Sequence, residues 1–401
     1  MSKGGLDNNQ WQIRRLEEVV EILDGMRKPI KKADRVTGEI PYYGATGIID
    51  WVKDYIFDEP LILVGEDGEN LRSRVLPMAF KIQGKAWVNN HAHVLRPHKN
   101  VDIEYLTYYL DSISYEDYIT GSAQPKLNQN QLRKVKVLLP HVREQQKVAS
   151  ILSSVDVAIE KTKAIIEQAE KVKKGLMQRL LKKGIGHERY KDTTIGSIPE
   201  DWDLHAFKDV CEIISGQVNP KVEPFASMLH IGSNNIEKFT GRILDCKTAK
   251  EEGVTSGKYL FTQEHVLFSK IRPELAKVAF PKTQGICSAD IYPIKSKNGC
   301  MIPEFIKYVL LSKRFYEYSV SVSGRTGIPK VNRGDLEIFQ IPVPSIDEQR
   351  KIVSILSEVE RKAVNEQKRL REFQKIKKGL MQSLFANKVR VKVEGTEVTQ
   401  V

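Results

Sequence analysis

Apolar positions between residues 142 and 183 recur in sevens. Val148, Val155, Thr162, Ala169 and Leu176 form one row; Ile151, Ala158, Ile165 and Val172 form a second, with Leu152, Ile159 and Ile166 beside them. After Pro344 the design returns: Ile352, Val359, Phe373 and Leu380 hold the first row, and Glu366 breaks it. A heptad keeps an apolar seam turned toward a partner helix, so the pattern predicts two long helices of a coiled coil. Pro140 and Pro344 mark the two starts, and Asp347 suits a first helical turn. Roughly 40 residues at about 1.5 Å each give rods of about 60 Å. Equal length and pattern favour pairing of the rods with each other, and a chain twofold about its middle pairs them antiparallel.

The two helices are copies. "KVKKGLMQRLL" at 171–181 returns as "KIKKGLMQSLF" at 375–385, 204 residues later. At the same offset Pro125-Lys126 matches Pro329-Lys330, Pro140 matches Pro344, Glu144-Gln145 matches Glu348-Gln349, and "SILS" at 150–153 matches 354–357. The fronts align at an offset of 191: Trp11, Val19, Gly25 and Pro29 with Trp202, Val210, Gly216 and Pro220. Inside the two bodies there is little common text. A period near 200 residues is a duplicated domain pair rather than a solenoid. The expected division is a first body at 1–140, its helix at 141–185, a linker and second body at 186–344, and a second helix with a short tail at 345–401.

Charge follows the helices. Residues 143–183 and 347–388 each carry a net +5, together +10 of the chain's +12, so the bodies are nearly neutral. A basic chain of this kind meets a polyanion, an acidic partner surface or an anionic membrane. No apolar run approaches 18 residues, which argues against a membrane span. Cys211, Cys246, Cys287 and Cys300 form no CxxC pair and read as thiols in a reducing cytoplasm. Gly175 and Gly379 interrupt good helix at matched places, where a glycine costs about 1 kcal/mol relative to alanine. That points to close approach by a partner at Gly175, Leu176, Met177, Gln178 and at Gly379, Leu380, Met381, Gln382. Two copies of one surface imply two copies of one partner.

Catalytic signatures fail. "GVTSGKYL" has three residues between its glycines and Tyr259 after the lysine, where a phosphate loop needs four and then Ser or Thr. His91 and His93 hint at a metal or an HNH-like nuclease, but no companion ligands accompany them. In a strand the two share one face, and hydrogen-bonding roles are expected. No nucleophile elbow, methyl-donor loop or carboxylate cluster is evident, so neither metal nor cofactor is expected.

At "GSIPEDW" (196–202), "IPVPSIDEQRKIVSIL" (341–356) and both "KKGLMQ" boxes, the chain resembles the specificity subunit of type I restriction–modification enzymes. "YYGATGIID", "WVNNHAHVLRP" and "SKIRPELAKVAF" are similar to text of that family's target-recognition domains. The resemblance covers nearly the whole chain, although the Ile-Pro motif is absent before Trp11. It implies an α+β fold in which two mixed α/β target-recognition domains are joined by two long antiparallel coiled-coil helices, with a pseudo-twofold internal repeat. It further implies that each domain reads one half of a split, asymmetric sequence in double-stranded DNA. Two methyltransferase subunits dock on the helices and restriction subunits join them. Methyl donor and ATP belong to those partners, so this chain is non-catalytic.

Loop residues with long polar or cationic tips are the candidate base readers. In the first body they are Lys31, Lys32, Arg35, Tyr43, Asn89, Asn90, Ser122, Gln124 and Lys126. In the second they are Gln217, Asn219, Ser233, Asn234, Asn235, Lys270, Arg272, Ser323, Arg325, Thr326 and Lys330. A competing reading is a duplicated coiled-coil scaffold that binds protein only; it leaves two unlike bodies on matched rods unexplained. A nuclease or methyltransferase fused to its own reader lacks both motifs and length. Bodies of about 130 residues are roughly 36 Å across. At opposite ends of a 60 Å rod they leave about 24 Å, or roughly 7 unread base pairs. Inserting whole heptads into both helices is expected to lengthen that spacer. Mapping methylated sites reads it, and an unchanged spacer refutes the idea.

Overall fold

The heptad rows become the helices Val142–Lys183 and Ile346–Phe385, 42 and 40 residues long. These come from a computed structural model, which describes residues 11–121, 124–324, 327–386 and 389–391. Burial corrects the seam. In the first helix Val148, Leu152, Ile159, Thr162, Ala169 and Leu180 are buried, and Val155, Ile166, Lys173 and Leu176 are half-buried. These positions alternate by three and four. Ile165 and Val172, expected in the seam, lie exposed. The apolar stripe is two residues wide at 151–152, 158–159 and 165–166, so apolarity alone fits either row. The true row also contains Lys173, which hides it. The second helix repeats the spacing through Ile352, Leu356, Val359, Ala363, Glu366, Leu370, Phe373, Lys377, Leu380 and Leu384.

The chain divides into two compact units, residues 1–163 with 368–401, and residues 164–367. Each holds one half of each helix. In the first, Lys377 lies 2.7 Å from Asp156 and Arg390 lies 2.9 Å from Glu144, so the helices run antiparallel. In the second, Lys173 lies 3.4 Å from Glu360, and Met177 and Leu180 share a core with Ile352 and Leu356. Asp156 and Glu360 are matched positions, as are Lys173 and Lys377. The Tyr108 hydroxyl donates to Asp156 at 2.7 Å and the Tyr308 hydroxyl to Glu360 at 2.8 Å. Lys307 adds a second cation to Glu360 at 3.0 Å.

The Glu-Gln pairs fix each body to its helix. Gln145 Nε2 donates to the Pro140 carbonyl at 2.8 Å, while its Oε1 accepts from the Asp102 amide at 2.8 Å. Gln349 does the same with Pro344 at 3.0 Å and Ile302 at 2.9 Å. The indole N–H of Trp11 donates to Glu144 at 3.0 Å, and that of Trp202 to Glu348 at 2.9 Å. Opposite each indole stands a further partner: Arg390 for Glu144 and His187, at 2.8 Å, for Glu348.

The bodies share a topology that their sequences conceal. The first has a four-stranded sheet ordered Val20–Ile22, Ala92–Pro97, Leu61–Gly65, Ala79–Ile82, antiparallel throughout. The second has Cys211–Ile213, Ile291–Ser296, Val266–Ser269, Val278–Ala279 in the same arrangement. Each body carries another four-stranded sheet with one parallel pairing, Tyr42–Tyr43 on Trp87–Val88 or His230–Ile231 on Ile286–Cys287. Each is closed by its first and last strands, Gln12–Arg15 with Lys136–Leu139 and Asp203–Ala206 with Gln340–Val343. Alternation along the central strand feeds two cores. Ile62 and Val64 enter one while Leu61 and Leu63 enter the other; Val266 and Phe268 enter one while Leu267 enters the other.

Burial pushes the Glu360 carboxyl up, but Lys173 and Lys307 outweigh it and hold the group below its ordinary value. A carboxylate depressed in the fold stabilises above its unfolded pKa of about 4.3, and that contribution fades as pH falls below it. Glu360→Ala leaves Lys173 and Lys307 without their counter-charge and is expected to cost about 3 kcal/mol by urea unfolding at neutral pH. The difference from the unmutated chain should shrink in acid. A loss under about 1 kcal/mol at neutral pH would mark the pair as a surface one.

Candidate nucleic-acid interface and partner grooves

In each body the central strand ends at a crossing. Leu61–Gly65 runs into Glu66 and Asp67, and Asp67 bridges to Lys126. The Leu127 amide donates to the Glu66 carbonyl at 2.8 Å. Val266–Ser269 runs into Lys270, Ile271 and Arg272, with Ile271 bridging to Lys330. The Val331 amide donates to the Lys270 carbonyl at 2.8 Å. Every partner is 204 residues from its counterpart.

The same backbone carries opposite chemistry. In the first body Glu66 is buried and takes Arg27 at 2.6 Å and Lys126 at 3.2 Å. His93, fully buried, faces Asp24 at 2.6 Å, and Gln129 donates to Asp24 at 3.2 Å. Burial raises the Asp24 carboxyl, but His93, the Val94 amide and Arg27 outweigh it and hold the group below its ordinary value. Ligand atoms of Asp24, Glu66 and His93 lie within 4.8 Å of one another, a spacing that would suit a metal. Arg27 and Lys126 already neutralise the two carboxylates, so the cluster is an ion-pair network. His91 stands before the strand, exposed and 2.8 Å from Asp67. The two histidines therefore do not share a face as expected, since only His93 lies in the strand.

At the matched places the second body has Lys270 for Glu66, Tyr292 for His93 and Arg333 for Gln129. Lys270 donates to the Ala289 carbonyl at 2.6 Å and lies 5.1 Å from the Tyr292 ring centre. Arg333 lies 5.4 Å from the same ring and donates to the Ile214 carbonyl at 2.8 Å. Burial and then the charge of Lys330 push the Lys270 ammonium below its ordinary value. Burial, with Arg272 nearby, does the same to Lys277. Lys270, Arg272, Lys277, Lys330 and Arg333 have no carboxylate within ion-pair distance among the described residues.

The expected base readers divide by surroundings. Lys31, Lys32, Asn90, Gln124, Lys126, Gln217, Asn219, Asn234, Arg272 and Lys330 are exposed. Others serve the fold. Arg35 holds Asp50 at 2.9 Å and stacks on Tyr42, Tyr43 packs against Phe80, and buried Asn89 accepts from the His91 amide. Ser233 bonds Ser269, Asn235 caps Gly232, and buried Ser323 donates to the Val320 carbonyl. Ser122, Arg325 and Thr326 lie outside the described residues. The spacing of His91 and His93 drew attention to His93, but spacing alone did not single out Glu66, Asp24 or Arg333; the 204-residue alignment, carried into the bodies, pairs Glu66 with Lys270 and Gln129 with Arg333.

The "KKGLMQ" boxes line matched clefts. In the second unit Met177 and Gln178 border adjoining cavities of about 490 and 270 Å³, against Leu311 to Lys313. In the first, Met381 and Gln382 border one of about 550 Å³, against Asp111 to Ile113. Both helices pass through their glycine unbroken, and nothing lies within 4 Å of the point a Cβ would take at Gly175 or Gly379. Among the described residues no backbone packed against either glycine explains it. Leu176, Met177, Leu380 and Met381 pack on the cores, while Gly175, Gln178, Gly379 and Gln382 face out.

The model of the type I restriction modification DNA specificity domain matches residues 8–171 and again 199–375. The chain belongs to that family. It is 27% identical over 381 residues to the type I restriction enzyme EcoDI specificity subunit of Escherichia coli, spanning 88% of this chain and 82% of that one. Its fold is similar to the S subunit of a type I restriction–modification system from M. genitalium, with TM-score 0.61 at 13% identity over 95% and 97% of the two chains. A structure described for complex assembly and conformational transition of the type I R-M system matches at TM-score 0.50 and 15% identity, over 96% and 99%.

For this member of the family, exposed glycines with open space above them cost helix stability in the chain itself. Gly175→Ala and Gly379→Ala are each expected to raise unfolding stability by about 1 kcal/mol. A thermal melt of each variant checks this. A loss of stability at either site would show that the glycine serves the fold.

Proposed function

We propose that this chain is the DNA sequence-specificity subunit of a type I restriction–modification complex. Its two bodies read the halves of an asymmetric double-stranded DNA target, two methyltransferase subunits dock on its helices, and restriction subunits join that core. One observation carries the reading: a single backbone frame appears twice with opposite side-chain chemistry at its crossing, while the rods and the "KKGLMQ" wall of each cleft are repeated with like residues. Unlike readers suit unlike half-sites, and like clefts suit like partners. Base edges are read by hydrogen bonds, while phosphate contacts set register.

In this reading the first recognition domain occupies 1–140 and its helical region 141–185, a linker and the second recognition domain 186–344, and the second helical region with the tail 345–401. The chain is non-catalytic, takes no cofactor and works in the cytoplasm; among the described residues no helix is long and apolar enough to cross a membrane. The methyltransferase meets Gly175, Gln178, Gly379 and Gln382 at the clefts, and Leu176, Met177, Leu380 and Met381 set the floor beneath it. With nearly neutral bodies, much of the nonspecific affinity comes from the partner's cations.

The purified chain alone is expected to bind target DNA weakly and to methylate nothing. Adding its methyltransferase should tighten binding greatly and start methylation of a bipartite sequence. Gel-shift titration and methylation assays read both. Nanomolar binding by the chain alone counts against the division of labour. Methylation by the chain alone points to a built-in enzyme, and no DNA response with any partner points to a protein scaffold.

A further inference from the structure

We propose that the two bodies grip DNA unequally: Arg272 and Lys330 of the second body contact the duplex directly, a guanine among the contacts, while Lys126 at the matched corner of the first makes no phosphate contact. The inference rests on the DNA-reading function above and assigns where the electrostatic grip lies.

Arg272 and Lys330 are exposed, side by side, and held by backbone. The Arg272 amide donates to the Pro329 carbonyl at 2.9 Å, and Ile271 bridges to Lys330. Lys270 and Arg333 both lie against one ring, Tyr292. Like charges gathered without a carboxylate at ion-pair distance repel one another, and a polyanion relieves that repulsion while releasing its own counterions. An arginine at such an edge pairs two donors with guanine O6 and N7, which no other base offers in the major groove.

The first body lacks this surplus. Lys126 sits where Lys330 does, but its ammonium is 3.2 Å from the buried carboxylate of Glu66. Glu66 also holds Arg27, and Asp67 holds His91. Positive charge at this corner is already answered from within, so approach of a phosphate here meets carboxylates.

The test uses the full chain assembled with its methyltransferase, on duplexes carrying the methylated target, with affinity followed against salt by fluorescence anisotropy. Arg272→Gln and Lys330→Gln are each expected to lower the slope of log affinity against log salt by about 1. Arg272→Gln should also relax discrimination at one position, in one half of the target only, by about tenfold. Lys126→Gln should leave the slope unchanged. Arg272 and Lys330 are exposed and outside any ion pair among the described residues, so their variants should keep the melting temperature; Lys126→Gln leaves Glu66 its Arg27 partner, and its melt is measured to show that the fold is intact. An equal slope change for Lys126→Gln, unchanged slopes for the second-body variants, or no base position relaxed by Arg272→Gln would overturn the inference while the DNA-reading function stands. An unmutated complex that binds DNA without sequence preference would overturn both.

Discussion

The contact between a lysine of one long helix and a carboxylate of the other, made once in each unit, is what the rest of the molecule is organised around. Lys377 with Asp156 and Lys173 with Glu360 are half-buried pairs in a mostly apolar seam. A mispaired helix would leave a charge facing hydrocarbon, which costs far more than a lost leucine contact. The pairs therefore select one register and one direction. Each carboxylate then accepts a tyrosine hydroxyl from the neighbouring body, Tyr108 or Tyr308, so alignment of the rods and seating of the body are settled by the same atoms.

The second anchor lies a few turns away. A glutamine amide has one acceptor and two donors, and Gln145 and Gln349 spend them on backbone groups just before their helix and at the start of the body's own helix. Two tryptophans meet the adjoining glutamates. Residues that hold are repeated with the same chemistry, whereas at the strand crossing Glu66 gives way to Lys270 and Gln129 to Arg333, with only the lysine at 126 and 330 kept.

Much of this was legible in the sequence, for physical reasons. The rods announced themselves because a seam must repeat, and the duplication because the holding residues recur at one offset. What stayed hidden was of two kinds. The second seam row was misjudged because Lys173 lies in it and because Ile151, Ala158 and Ile165 sit beside equally apolar neighbours. The common topology of the bodies was invisible because their strands keep burial rather than identity: Leu61–Gly65 and Val266–Ser269 share a single residue, Leu63 with Leu267, and otherwise match only in burial. Among the candidate readers, polar tips were a poor guide, since Arg35, Asn89, Asn235 and Ser323 spend their polar atoms on the fold. Exposure separates Arg272 from Ser323, and exposure is set by tertiary packing that no local pattern encodes.

The central strand of each body has a further consequence. It is apolar on both sides, feeding one core with its odd residues and another with its even ones. An ordinary half-wet strand is kept from slipping by the penalty of turning grease outward. Here a slip by one would still leave every side chain in oil, so polarity gives no protection. What arrests the strand is its far end, where the charged Glu66 or Lys270 follows and the backbone is latched by Leu127 or Val331. The corner that carries Glu66 or Lys270 thus also serves as the ratchet stop for the strand behind it. Drift in the side chains there is tolerable only so long as the latch, which is main chain, survives.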